Sequence, residues 1–139
     1  MTGTIFDRMQ PPPAAQLLGW RLISHDAATG TIEVGFDGKA EFANPMGVIQ
    51  GGFLTAMLDD TLGPAVFAMT GGKRLCQTID LHTHFLRPVQ VGPIRTVGRV
   101  TRLGGKIAYM EGQLFNHDDN LAARATASAL LVDRPSAET

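Results

Sequence analysis

One long apolar helix, in a chain that otherwise reads as strands, limits the fold more than any other feature. The helix spans Gly51 to Met69. At the helical period Phe53, Leu54, Met57, Leu58, Thr61, Leu62, Ala65 and Met69 fall on one broad stripe, and Gly52, Ala56, Asp59 and Gly63 gather opposite. Pro64 removes a backbone donor and is expected to kink or end the helix near Asp60 to Gly63. Thr70-Gly71-Gly72 is the exit. A stripe this wide needs a sheet to cover it.

The rest of the chain supplies that sheet. Pro11-Pro12-Pro13 closes an expected mobile tail (1–13), with one domain expected over 14–133 and a second tail at 134–139. Trp20 to His25 and the alternating Ile32, Val34 and Phe36 predict a hairpin, which Asp37-Gly38 breaks. The stretch to Ile49 is loop, with Asn44-Pro45 biased to extended or turn geometry. Beyond the helix, Ile79, Leu81, Thr83 and Phe85 alternate against Thr78, Asp80, His82 and His84. Ile94 to Leu103 and Ile107 to Phe115 follow, joined by Gly104-Gly105. Leu121 to Val132 is alanine-rich, which favours helix. Yet Ala123, Ala125, Ala127, Ala129 and Leu131 recur with a period of two, predicting a strand whose small side chains let something bulky pack close. The order gives an α+β fold, an antiparallel six-stranded sheet wrapped around one long central helix.

Composition narrows the function classes. At 139 residues the chain is one domain with room for a core. Its net charge of −1 gives no pull toward nucleic acid or anionic membrane, and neither is an expected partner. A lone cysteine, Cys76, excludes an internal disulfide and fits a reducing compartment. Met1 to Pro13 lacks the apolar core of a signal peptide, and no apolar run approaches the ~18 residues of a membrane span. The expected location is cytoplasmic. Between Leu81 and Met110 lie Arg87, Arg95, Arg99, Arg102 and Lys106 with no acid. Such a run is either a solvated strand face or a basic rim for a phosphorylated ligand.

The chemistry concentrates at Asn44 to Asp60. Gly51 and Gly52 leave amide groups bare at a helix start, where free donors and the positive dipole end favour a developing negative charge. Asp59 sits mid-helix among apolar and small residues, where a carboxylate is costly unless it is used. A held structural acid or an interface salt bridge is the plainer explanation of Asp59. If both features act, geometry makes a demand. At ~1.5 Å per residue Gly51 and Asp59 lie about 12 Å apart, too far to serve one carbonyl from one chain. Two antiparallel helices, approaching over Gly52, Ala56 and Gly63, would bring the start of one opposite the middle of the other. Asp60 is expected to be a solvent or interface acid. Asp80, His82 and His84 share a strand face without an obvious fourth ligand, so no metal is expected. Cys76 reads as a packed thiol.

Asn44-x-x-Gly47-x-x-Gln50-Gly51-Gly52 with Asp59 nine positions after Gln50 resembles the hotdog-fold acyl-CoA thioesterases, specifically the phenylacetate-pathway (PaaI-like) type. The resemblance continues at Thr78-Ile79-Asp80-Leu81, Phe85-Leu86-Arg87-Pro88 and Arg102-x-Gly104-Gly105-Lys106. It covers roughly Ala14 to Asp133. It implies a sheet-wrapped helix paired into homodimers and then dimers of dimers, with active sites at the dimer interface. Asp59 would be base or nucleophile and Gly51 the amide donor to the thioester oxygen. Asn44 would position water or the carbonyl, and Thr78 would stand near the attacking water. Gly52, Arg87, Arg102, Gly104 and Lys106 would hold substrate, an acyl-CoA with a small-to-medium acyl group, aromatic ones included. No cofactor is implied beyond the coenzyme A of the substrate. Gln50 stands where the family usually has histidine; it can hydrogen-bond but cannot shuttle a proton. Two alternatives stay open, a non-catalytic acyl-CoA-binding protein and a hydratase or dehydratase of acyl thioesters.

Overall fold

A computed structural model describes residues 3–7 and 9–135. Its elements are α1 (Pro13–Leu18), β1 (Arg21–Asp26), β2 (Thr31–Gly38), a short 3-10 turn (Ala40–Phe42), α2 (Gly51–Met69), β3 (Arg74–Phe85), β4 (Gly92–Leu103), β5 (Ile107–Phe115) and β6 (Leu121–Asp133). The six strands form one antiparallel sheet in the order β1-β2-β4-β5-β6-β3. β3 is therefore an edge strand although it lies next to α2 in sequence.

α2 lies on the inner face. Leu54, Met57, Leu58, Thr61, Leu62, Ala65 and Val66 are buried against it, which matches the stripe read from the 3.6-residue period except that Val66 joins it while Phe53 and Met69 are only partly buried. The inner face is built to receive a bulky helix. β6 offers Ala123, Ala125, Ala127 and Ala129, all buried, on one side of a true strand. In the middle of the sheet, a Cβ on Gly98 would stand 2.9 Å from Thr61 Cγ2, and one on Gly112 would stand 3.2 Å from Leu62 Cδ2. The one buried polar link between helix and sheet is self-satisfied. Thr61 Oγ1 donates to Met57 O (2.7 Å) and meets Thr96 Oγ1 at 2.7 Å.

Pro64 neither ends the helix nor interrupts its assignment, which runs on to Met69. Its missing N–H leaves the carbonyl of Asp60 without an intrahelical donor. Trp20 fills that vacancy, its indole Nε1–H donating to Asp60 O at 2.9 Å. The expected break is thus corrected by a donor forty residues away.

The segment before α1 is anchored. Phe6 packs its ring 5.3 Å from Trp20 and 5.7 Å from Phe67. Residues 1, 2 and 8 of the expected N-terminal tail, and 136–139 of the expected C-terminal tail, lie outside the described residues. Arg134 N–H donates to Lys73 O at 2.9 Å.

Candidate active site

The loop before α2 is fixed from both sides. Asn44 Oδ1 accepts from the amides of Met46 (3.0 Å) and Val48 (3.3 Å), an Asx-type closure of the turn. Gly47, at φ 83, occupies the left-handed position that this turn requires. The side-chain oxygen expected to position water is therefore engaged in holding the loop. Ile49 N–H donates to Val89 O and Gln50 N–H to Phe42 O, each at 2.8 Å, while Phe53 and Leu54 return to Gln50 O. Gly51 and Gly52 are left as helix-start amides without an acceptor among the described residues. Gln50 occupies the N-cap, exposed and without a side-chain capping bond. Over Gly51 stands Phe85, whose ring tip would lie 3.0 Å from an added Cβ. Above Gly52 there is open space.

Two turns along α2, Asp59 and Thr78 meet. Thr78 Oγ1 donates to Asp59 Oδ1 at 2.8 Å, and Asp59 is exposed in the single chain. This contact depends on an irregularity in β3. Thr78 faces Ala129 and Asp80 faces Ser128, so Ile79 is an extra residue, a β-bulge. The bulge changes the parity of the strand. Cys76 and Thr78 lie on the same inner face as Leu81, Thr83 and Phe85, while Asp80, His82 and His84 face outward. The simple alternation read from sequence put Ile79 with Leu81 and Thr78 with Asp80. The structure reverses both, leaving Ile79 60% exposed.

Asp60 was expected to be a solvent or interface acid, and in the single chain it is only partly exposed. Its Oδ2 is buried without a hydrogen-bond partner, and burial, then the charge of Asp59, raises its carboxyl from 3.8 to about 6. Cys76, across from it, is pushed up to about 11 by burial and by Asp59, which keeps the thiol neutral. A folded pKa above the unfolded one makes the stabilising proton present below pH 3.8 and lost as pH rises through about 6. Asp60→Asn should therefore gain stability over the parent between acid and neutral pH. The full shift would be worth about 3 kcal/mol, reduced by residual solvent screening to roughly 1–2 kcal/mol. Denaturant unfolding at pH 4.5 and 8 reads this; an equal difference at both pH values would contradict it.

The expected substrate-binding residues divide between two ends of the molecule. Arg87 Nη1 donates to Leu121 O at 2.6 Å, at the same end as Gly51 and Gly52. Arg102, Gly104 and Lys106 sit on the β4–β5 hairpin, where Lys106 O accepts from Leu131 N–H at 2.8 Å. Leu131 faces Cys76 and Ala123 faces Phe85, so the ends are about 26 Å apart along the ladder at ~3.3 Å per residue. One chain cannot close both on one ligand. Of the remaining basic run, Arg95 pairs with Asp119 (2.6 Å) and Glu33 (3.6 Å), and Arg99 lies 3.9 Å from Glu111. Those two are a solvated outer face.

Two depressions stand out among the described residues. The larger, about 550 Å³, is on the outer face beside His82, His84 and Arg124, with none of the expected site residues in its lining. Asp80 Oδ1 there accepts from Ser128. Among the described residues no group of three His, Cys, Asp or Glu is placed to hold a metal. The smaller, about 390 Å³, adjoins Asp60 and Cys76.

The model of the thioesterase superfamily matches residues 46–123, which contain the end of the loop, α2 and strands β3 to β5. The chain belongs to the thioesterase superfamily. A Saccharolobus solfataricus protein, SSO2140, named as a candidate esterase, is 30% identical over 114 residues, 81% of this chain and 79% of the relative. A Thermoplasma volcanium protein of similar name, TV1331, is 33% identical over 82 residues, 58% of this chain but only 61% of the relative. Among solved structures, a phenylacetic acid degradation-related protein of Ralstonia eutropha JMP134, described as a candidate thioesterase, superposes with a TM-score of 0.85. It is 34% identical and the match covers 91% of this chain and 95% of that one. The protein is a PaaI-like hotdog thioester hydrolase. Among the described residues no helix is long and apolar enough to cross a membrane.

Proposed function

We propose that the protein hydrolyses an acyl-CoA with a small-to-medium acyl group to the free acid and coenzyme A, at a site shared by two copies of the chain. The Asp59–Thr78 contact carries this reading. It supplies an acceptor for a water proton, or a nucleophile, already oriented by a hydroxyl. The free amides of Gly51 and Gly52 supply the matching oxyanion donors. Water attacks the thioester carbon while Asp59 takes its proton, and the oxyanion rests on Gly51 N–H. Collapse then expels the thiolate, which recovers the proton. In the covalent variant Asp59 attacks first and water cleaves the resulting anhydride. Either route uses only the chain, water and the substrate, and no metal or cofactor.

Two surfaces that flank Asp59 support the homodimer reading. One edge of β3 is unpaired over Arg74–Phe85, and Ile79, Phe85 and Leu86 are 60%, 52% and 46% exposed along it. The other is the bare Gly52, Asp59 and Gly63 side of α2. An antiparallel pairing there sets the glycine turn of one copy against Asp59 of the other. It also carries Arg87 of one copy toward the hairpin of Arg102, Gly104 and Lys106 of the other, so that both basic groups can reach one nucleotide. The exposed Gln50 side chain is free to donate to the thioester oxygen. Thiol release across short, medium, long and aromatic acyl-CoAs, with light scattering, tests the proposal. We expect turnover of at least one short or medium member by a species no smaller than a dimer. Tight binding without thiol release would favour a non-catalytic acyl-CoA carrier.

A further inference from the structure

The hydrolase reading uses Asp59 and leaves its neighbour unexplained. Asp60 lines a pocket of about 390 Å³ whose walls include Phe6, Trp20, Pro64, Phe67 and Leu75. At about 30 Å³ per water-sized group, this is room for roughly a dozen heavy atoms. The pocket starts where the reacting pair ends. Asp60 follows Asp59 on α2, and Cys76 precedes Thr78 on the same face of β3. The pocket thus adjoins the reacting pair, which itself stands just outside its lining.

Its lining is mostly apolar, the polar side chains being Asp60, Cys76 and Gln10, whose amide makes no hydrogen bond to Asp60. Asp60 is the only ionisable carboxyl there among the described residues, and its Oδ2 is buried with no partner. The nearby indole N–H cannot serve it, being committed to the Asp60 backbone carbonyl. The thiol of Cys76 is a weak donor. A buried acceptor without a donor disfavours any ligand that covers it with hydrocarbon and favours one that brings a donor.

We propose, resting on the thioester-hydrolase reading, that this pocket receives the acyl group and that Asp60 Oδ2 accepts a hydrogen bond from a hydroxyl on it, selecting hydroxylated over plain acyl-CoAs. Asp60 is then a specificity-determining residue, set apart from the reacting atoms by its neighbour. The raised carboxyl of Asp60 is consistent with this, since an acceptor oxygen persists in both protonation states.

The test compares hexanoyl- through decanoyl-CoA with their ω-hydroxy counterparts, chain length by chain length, as ratios of kcat/KM. At one length or more the hydroxyl should raise kcat/KM by roughly tenfold or more, chiefly through KM. Asp60→Leu should bring that ratio to about one whatever its absolute rate, because the acceptor is gone. Asp60→Ala, sterically milder, reads the same ratio should the leucine variant not fold. A wild-type ratio near one at every length, or a preference that survives both substitutions, overturns the role of Asp60. Absence of thiol release from every member, plain or hydroxylated, overturns the hydrolase reading and this inference with it.

Discussion

Asp59→Asn should lower kcat by about three orders of magnitude, within the range general acid–base catalysis supplies, with KM changed only a few-fold. The substitution is close to isosteric. Its amide oxygen can still accept from Thr78 Oγ1, which stands 2.8 Å from Oδ1 in the parent. Asp59 is exposed on α2, so no core packing is disturbed. What disappears is the ability to take a proton from water or to attack a carbonyl. The dimer should persist, because the small-residue side of α2 and the free edge of β3 are untouched. Thiol release measured beside light scattering separates the two effects. Turnover within tenfold of the parent, in an intact dimer, would remove Asp59 from the chemistry.

Gly51→Pro should cost about 10²–10³ in kcat, equivalent to about 2.7–4 kcal/mol, by deleting a single oxyanion donor. Few positions allow so clean a deletion of a backbone N–H. Gly51 is the first residue of α2, the position proline favours in helices. The preceding Gln50 is already extended, at φ −62 and ψ 139, which a following proline requires. The Gly51 amide has no acceptor among the described residues, so no hydrogen bond within them is lost. The one steric demand falls on the ring tip of Phe85, which is half exposed and can move. Gly51→Ala imposes the same crowding but keeps the N–H. A proline variant no slower than the alanine variant would contradict the donor role.

The parts legible in the sequence were those written in short-range periodicity. The stripe on α2 and the alternation of alanines in β6 each repeat several times, so one helix and one strand stand out despite mixed propensity. The glycine pair at Gly51 and the acid at Asp59 stood out as candidates for a similar reason, being residues poorly suited to their places unless used. What escaped depends on contacts distant in sequence. Nothing near Ile79 announces a bulge; it appears only when β3 is laid against β6, and it alone brings Thr78 to Asp59. The effect of Pro64 was misjudged because its remedy is the indole of Trp20. Asp60 looked like the more exposed of two adjacent acids, yet the N-terminal segment and β3 close over it. Likewise Arg87 and Lys106 seem to belong to one basic run, and the ladder between them holds them at opposite ends.

Two impaired chains offer the most direct test of a divided reaction centre. Gly51→Pro and Asp59→Asn proteins, each expected to keep no more than about a hundredth of parental kcat alone, are unfolded, mixed in equal amounts and refolded. If each centre draws its amide from one copy and its carboxylate from the other, a heterodimer concentrates both defects in one site and leaves the second intact. Random pairing then restores about a quarter of parental activity, since half the two-fold dimers are mixed and each carries one good site. A mixture that stays as inactive as its components, with heterodimers verified by mass, would place both groups in the same chain and contradict the account.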